Sequence, residues 1–422
     1  MPFQVSPGVN VSEIDLTTVI PAVSTSAGGF VGNFNWGPGG VVTTVDSADT
    51  LVTLFGRPDT NTAIDFFSAA NFLDYTNNLQ LVRAVASDSF NASSNATNGL
   101  LVLNDDTFDT IKDTNVDHFV VAKHPGNKGN GLQVEICDNA DAFLDWTSNT
   151  LFDGPPGNSA FMTGLNTTAS ANDEMHVVVK DTSDAATTGG FSGINNSVLE
   201  RFAFVSKAAN AKDDSGNVNY FKDVINRTSS YIRIIDPTSP DGPITLTNWG
   251  SSGTSSMTFG INAIRYANTL SNGVTGLKTG LNDELTSGYT LLADADKVDV
   301  SLIITGAHAC TVVNHAIDNV AITRKDCVTF LSPDYAEIVG VSSEATKLTN
   351  VLEHRNSDIN KNTSYAFMDS GWKYQYDRYN DVYRWIPTNA DVAGLCARTD
   401  NQRDAWWSPA GYNRGQIKNV VK

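Results

Sequence analysis

The sequence predicts a multidomain protein with an α/β core: a mixed sheet with flanking helices, discontinuous in sequence, that carries an inserted β-sandwich or barrel and an inserted α+β domain. Three observations predict it. A strand–helix–strand rhythm runs through residues 28–85 and returns through residues 298–368. The chain between them changes to short β-branched runs separated by Asn, Asp, Ser, Thr and Gly. The length, 422 residues, holds two to four domains at about 100–200 residues each.

The elements follow in order. Residues 1–23 read as an extended arm, because Val5, Val9, Val11 and Ile14 stand apart from one another among polar positions. Gly28-Gly29-Phe30-Val31-Gly32 is a short apolar strand bounded by glycines. Residues 61–75 read as a helix, with Ile64, Phe67, Phe72 and Tyr75 toward one face and Asp59, Thr60 or Asn61 as its cap. Residues 79–85 return as a strand, completing a βαβ unit. Residues 87–190 form the expected β-rich insertion, with strands at 100–103, 118–121, 132–136 and 176–179. Residues 191–283 form the second insertion, with helices at 220–228 and 261–270 and a strand at 231–235. The core then resumes over 284–407. Residues 298–305 are a nearly continuous apolar strand of the kind buried on both faces, followed by a helix at 310–319, a strand at 327–331, a helix at 344–355 and a strand at 365–368.

Composition excludes several classes. Net charge is −18, which repels free nucleic acid and anionic membrane surfaces. The charge is uneven: residues 355–422 hold ten Lys/Arg against seven Asp, a net of +3 that leaves −21 for the rest, so one end suits an acidic neighbour. No run approaches the roughly 20 apolar residues that span a bilayer, and the N-terminus lacks the pattern of a signal peptide. Cys137, Cys310, Cys327 and Cys396 form no CxxC pair and read as isolated thiols.

Enzyme signatures fail one by one. Gly250-Ser251-Ser252-Gly253 is a flexible loop and not a nucleophile elbow. Gly276-Leu277-Lys278-Thr279 lacks the glycines of a phosphate-binding loop. The histidines include no HExxH; His308 and His315, seven apart, read as surface or helix-end residues. Asp294, Asp296 and Asp299 lack the glycine of a calcium loop, and Asp213-Asp214-Ser215-Gly216-Asn217 reads as a turn. No catalytic, cofactor or metal residue is expected. The aromatic run Trp372, Tyr374, Tyr376, Tyr379, Tyr383 and Trp385, interleaved with Lys373, Arg378 and Arg384, invites a base-stacking reading. A β-hairpin turning at Asn380-Asp381, with alternate aromatics packed on the core, fits the flanking acids better.

One constellation is specific. The opening Ser6-Pro7-Gly8-Val9-Asn10-Val11-Ser12-Glu13-Ile14-Asp15, then Phe30-Val31-Gly32, Gly37-Pro38, Phe55-Gly56, Phe66-Phe67 and Leu81-Val82-Arg83-Ala84-Val85, come in one order. Later follow Pro125-Gly126-Asn127-Lys128-Gly129-Asn130-Gly131-Leu132 and Arg324-Lys325-Asp326-Cys327-Val328. The stretch from Trp385-Ile386-Pro387-Thr388-Asn389-Ala390-Asp391 to Arg398-Thr399-Asp400 precedes Trp407-Ser408-Pro409-Ala410-Gly411-Tyr412-Asn413-Arg414-Gly415. Taken together these residues resemble the contractile tail sheath proteins of myophages, of the large, insertion-bearing type. Family members continue with a further domain, so residues 408–422 are expected to be the start of a missing C-terminal domain.

The resemblance implies a structural, non-enzymatic virion subunit without cofactors. It implies stacked six-subunit rings of copies of the chain around a tail tube, with baseplate and tail terminator proteins as further partners and assembly in the host cytoplasm. Contraction would be a rigid-body rearrangement, with arms such as the one bearing Val5, Val9, Val11 and Ile14 adding strands to a neighbour. A phage adhesin or baseplate protein, or a carbohydrate-active hydrolase, are the alternatives.

Overall fold

The computed structural model describes residues 26–422, apart from 96, 116, 166–169, 184–189, 192–193, 237–238, 240–241, 243–246, 263 and 277–280. The strands described are, in chain order, β1 Gly28–Gly32, β2 Val42–Val45, β3 Leu79–Arg83, β4 Val120–Ala122 and β5 Leu132–Cys137. They continue as β6 Glu174–Asp181, β7 Ser197–Ser206, β8 Ile232–Ile234, β9 Tyr266–Thr269 and β10 Leu302–Ile304. The last are β11 Val328–Leu331, β12 Ala366–Met368, β13 Trp372–Asp377 and β14 Val382–Pro387.

Six of these strands make one sheet in the order β12-β11-β10-β1-β3-β2. β1, from the N-terminal stretch, pairs in parallel with β3 on one side and with β10 on the other (Phe30 opposite Leu81 and Ile304). β2 runs antiparallel at one edge. The two separated stretches thus close a single sheet through β1. Both faces are buried, which explains the unbroken apolar runs. Phe30, Leu81 and Ile304 point to a layer formed by the helices Ala63–Leu73 and Asn389–Gln402. Val31, Val82 and Ile303 point to the other, with Leu285 and Tyr289 of the helix Asn282–Leu291 and Val312 of the helix Cys310–His315. Burying each large apolar side chain contributes about 1.5–3 kcal/mol. Two glycines in β1 permit the close layer spacing: a Cβ on Gly28 would stand 2.4 Å from the Phe72 ring, and one on Gly29 3.0 Å from Ile303 and Leu292.

Local sequence explains the helix ends. Ser47 accepts a hydrogen bond from the Thr50 amide at the start of Ala48–Phe55, a helix the residue pattern missed. The helix begun at Cys310 runs on through a π-helical segment, Ala316–Ala321, to Arg324, where Lys325 takes a left-handed conformation (φ 64°) and stops it. The helix Glu344–Glu353 likewise passes into a π-helical turn, His354–Ile359.

The inserted region differs from expectation in three ways. β7, β6, β5 and β9 form one antiparallel sheet, and β4 pairs with β8. Because β6 and β7 are neighbours, the boundary expected at 190/191 cuts through a hydrogen-bonded sheet. Residues 87–190 and 191–283 are interwoven, and one apolar cluster joins Phe119, Val134, Val177, Phe221 and Ile232. Second, the helix expected at 261–270 is the edge strand β9; its alternating half-buried and exposed residues have the period of two of a strand. Third, residues 100–103 form no strand. Leu100 makes one bridge to Asn91, and Leu100 and Val102 pack against Val121 and Ile235.

Candidate assembly surface

The arm residues Val5, Val9, Val11 and Ile14 lie outside the described residues. The other motifs fall at joints. Arg83, at the end of β3, has a side chain 2% exposed and donates to three backbone carbonyls: Phe34 at 2.9 Å, Gly37 at 2.6 Å and Pro125 at 2.9 Å. It therefore fastens the core strand to the 34–37 loop and to the first turn of the inserted region. Burial pulls its guanidinium down to about 9, which still leaves it charged at neutral pH. The Pro125–Leu132 motif is a tight 3-10 turn, Asn127–Gly131. Gly126 sits at φ 128°, and a Cβ on Gly129 would meet Ala122 and Ala92 within 3 Å. Lys128 is buried there, with its ammonium 4.6 Å from the Phe191 ring centre.

Arg324 is the second joint. It donates to the carbonyls of Leu292 (2.6 Å), Val298 (2.8 Å) and Val300 (3.3 Å) and pairs with both carboxylate oxygens of Asp326 at 2.9 and 3.0 Å. The Arg–Asp spacing in the motif is thus a knot tying the helix end to the segment that leads into β10.

The third is the aromatic hairpin. β13 and β14 pair antiparallel, with Asp377 building the turn: it accepts from the amides of Tyr379 and Asn380 and from Arg384. The face expected inside is outside. Lys373, Gln375 and Asp377 point inward, whereas Tyr374, Tyr376, Tyr383 and Trp385 form a ladder on the outer face with ring centres 5.0–5.4 Å apart. Tyr376 and Tyr383 are 45% and 51% exposed. Two aromatics do pack inward: Trp372 against Tyr335, and Tyr379 in the turn against Phe66 and Phe67. Period-two alternation identifies a strand but not its buried face, and here ion pairing decides. Lys373 meets Asp391 at 2.8 Å with both side chains at most 2% exposed, and Tyr75 donates to the same carboxylate at 3.0 Å. Asp391 belongs to the Asn389–Gln402 helix, whose Gly394 lets it close on the Tyr75 ring. Residues 421–422 add backbone hydrogen bonds to Tyr374 along the edge of β13.

The histidines are not surface residues as a pair. His308 is buried, stacked on Phe30 and 3.7 Å from Asp65, whereas His315 is half-buried and bonds Thr290 and Asn319. Asp213 closes the expected turn by accepting from Ser215 and Asn217, and residues 250–253 form a loop. No described helix is long and apolar enough to cross a membrane.

The described residues thus combine an α/β core, joints made by arginine side chains and an outward aromatic face. Comparison with known proteins shows what the chain is similar to. The chain is 28% identical to the tail sheath protein of Enterobacteria phage T4, over 99% of this chain and 76% of that one. It is 29% identical to that of Vibrio phage KVP40 (98% and 76%) and 25% identical to that of Salmonella phage ViI (99% and 73%). The chain is thus similar to phage tail sheath proteins along nearly its whole length. Among solved structures, sheath tail proteins from Listeria innocua and Desulfitobacterium hafniense align at TM-scores of 0.44 and 0.42, with 11% and 12% identity over 88% and 93% of this chain. This chain spans 56% and 62% of their lengths. No family model matches it.

Proposed function

We propose that this chain is a structural subunit of a contractile tail sheath, carried in the virion and working by fitting against copies of itself. The observation that supports this most is the continuous similarity to tail sheath proteins across nearly all of the chain. A subunit that binds the next through unlike surfaces, with a rotation that does not close, builds an open helical filament. In the proposed assembly, six-subunit rings stack around a tail tube between baseplate and terminator proteins, after synthesis in the host cytoplasm. Contraction repacks rigid bodies and takes its free energy from new contacts, with no catalysis by the chain. The joints at Arg83 and Arg324 suit such a role because they tie neighbouring segments into one rigid piece. The arm with Val5, Val9, Val11 and Ile14 would add a strand to a neighbouring sheet.

Electron microscopy of the purified protein, alone and with tail tubes, tests the proposal. Tubes or long helical polymers are expected, and their loss on deleting residues 1–23 supports the arm. Isolated particles that bind host surface glycan would favour an adhesin. Glycan turnover abolished by changing one carboxylate pair would overturn the structural reading.

A further inference from the structure

Five metal-ligating side chains converge at the far end of the second core stretch. Cys310 opens the helix Cys310–His315, Asp334 caps the short helix Tyr335–Ile338 and Glu337 lies within it, and His354 and Asp358 lie in the π-helical turn His354–Ile359. They form two triads that share His354: Cys310, Asp334 and His354, and Glu337, His354 and Asp358. Within each triad the ligand atoms all lie within 4.8 Å of one another. That spacing lets three donors bind one ion at about 2.0–2.3 Å each.

The imidazole points to a ligand. His354 is 2% exposed. Its Nδ1 stands 3.0 Å from a Glu337 oxygen and 3.7 Å from an Asp358 oxygen, yet no aligned hydrogen bond meets this buried atom among the described residues. An imidazolium held only as an ion pair would place its N–H along the line to a carboxylate. A ring nitrogen set among carboxylates but off the hydrogen-bond axis is what a coordinated cation leaves room for.

The framework is fixed independently of any ion, as supporting groups around a metal site are. Asp334 N donates to Glu337 at 2.9 Å, Asn350 donates to the Glu337 carbonyl at 3.0 Å, and Asn314 donates to the Asp358 carbonyl at 3.0 Å. The π-helical turn places His354 and Asp358 together, a distortion that recurs at functional sites. The Asp358 side chain is 49% exposed, which provides an entry path.

We propose that this cluster is a zinc-class metal site, with Cys310, Asp334 and His354 as ligands and Glu337 and Asp358 as carboxylates beside the imidazole. Thiolate with imidazole selects zinc or its neighbours over magnesium or calcium. The ion would clamp the helix begun at Cys310 to the 334–359 segment, stiffening the plate where β11 and β12 end.

The test uses the whole chain, stripped with chelator and titrated with Co²⁺, then Zn²⁺. One equivalent of Co²⁺ is expected to bind with a thiolate-to-cobalt charge-transfer band and tetrahedral d–d bands, and Zn²⁺ to displace it and raise the thermal midpoint. Cys310→Ser, a near-isosteric change, is expected to abolish the charge-transfer band, and Cys310→Ser and His354→Gln each to weaken uptake at least about tenfold. Circular dichroism of both variants checks their folding. Absence of a thiolate band in the native chain, or unchanged uptake in folded His354→Gln, overturns the proposal. Neither result bears on whether the chain polymerises.

Discussion

The core plate and the inserted region solve the problem of burial differently. In the plate, apolar side chains alternate between two helical layers, with Phe30 and Val31 each fully buried on opposite faces, and the main buried charges sit at its margins, Arg83 at the end of β3 and the Lys373–Asp391 pair under the hairpin. In the inserted region, charge is used inside. Lys207 pairs with Asp138 at 2.8 Å with both side chains at most 1% exposed, and it also donates to the Asn172 and Gly260 carbonyls. Glu135 receives Lys180 at 2.8 Å and the Trp146 indole at 2.6 Å. The plate depends on shape, and the insertion depends on completing its polar partners. The first tolerates apolar exchange of equal volume, the second tolerates removal of a pair but not of one partner.

The comparison breaks most sharply at Lys207. Lys207→Met leaves Asp138 buried without its cation and is expected to cost about 3–5 kcal/mol, while adding Asp138→Leu restores most of the loss. Urea unfolding of the single and double variants checks it, and hydrogen exchange should show the loss confined to β5–β7. A single variant of native stability would remove the distinction. In the plate the corresponding insult is steric. Gly28→Val drives a side chain into the Phe72 ring and is expected to cost about 1–3 kcal/mol, relieved by Phe72→Leu.

A pH effect sharpens the same contrast at the hairpin junction. Burial pushes the Asp369 carboxyl up to about 6, from an ordinary value near 3.8. The folded state therefore binds this proton more tightly than the unfolded one, and stability from this group falls as pH rises from about 4 to 6. Asp369→Asn should flatten that part of the profile of urea midpoint against pH, and an unaltered slope would disprove the assignment. The smallest effect on stability is expected at the outer ladder. Tyr376→Ser should change unfolding by under about 1 kcal/mol yet reduce polymer yield in sedimentation, if the exposed rings meet a neighbouring subunit.

The same division governs what the chain made legible. The plate was readable because strands buried on both faces leave continuous apolar runs (Val298 to Thr305, Leu79 to Val85) and because helices between them carry caps and period. Its closure through β1 followed from two equal rhythms. The insertion was read less well. β9 carries few apolar residues, so period gave a helix where an edge strand lies, whereas Leu100, Leu101, Val102 and Leu103 are all apolar and suggested a strand where a loop packs Leu100 and Val102 against Val121 and Ile235. β6 and β7 are consecutive strands, and their pairing leaves no mark in composition. The hairpin was found but turned inside out, since hydrophobicity cannot reveal that Lys373 has Asp391 waiting within. The cluster at His354 was invisible for a simpler reason: its members span 49 positions, from Cys310 to Asp358, in no motif.

Arg83 has one further consequence. Its partners are three carbonyl oxygens from two segments, with no carboxylate among them. Dissolved ions compete with counter-charges, and this joint offers them none to replace. The grip between plate and insertion will therefore hold alike in dilute buffer and in brine, whereas contacts between exposed charges on separate copies will loosen as salt is added.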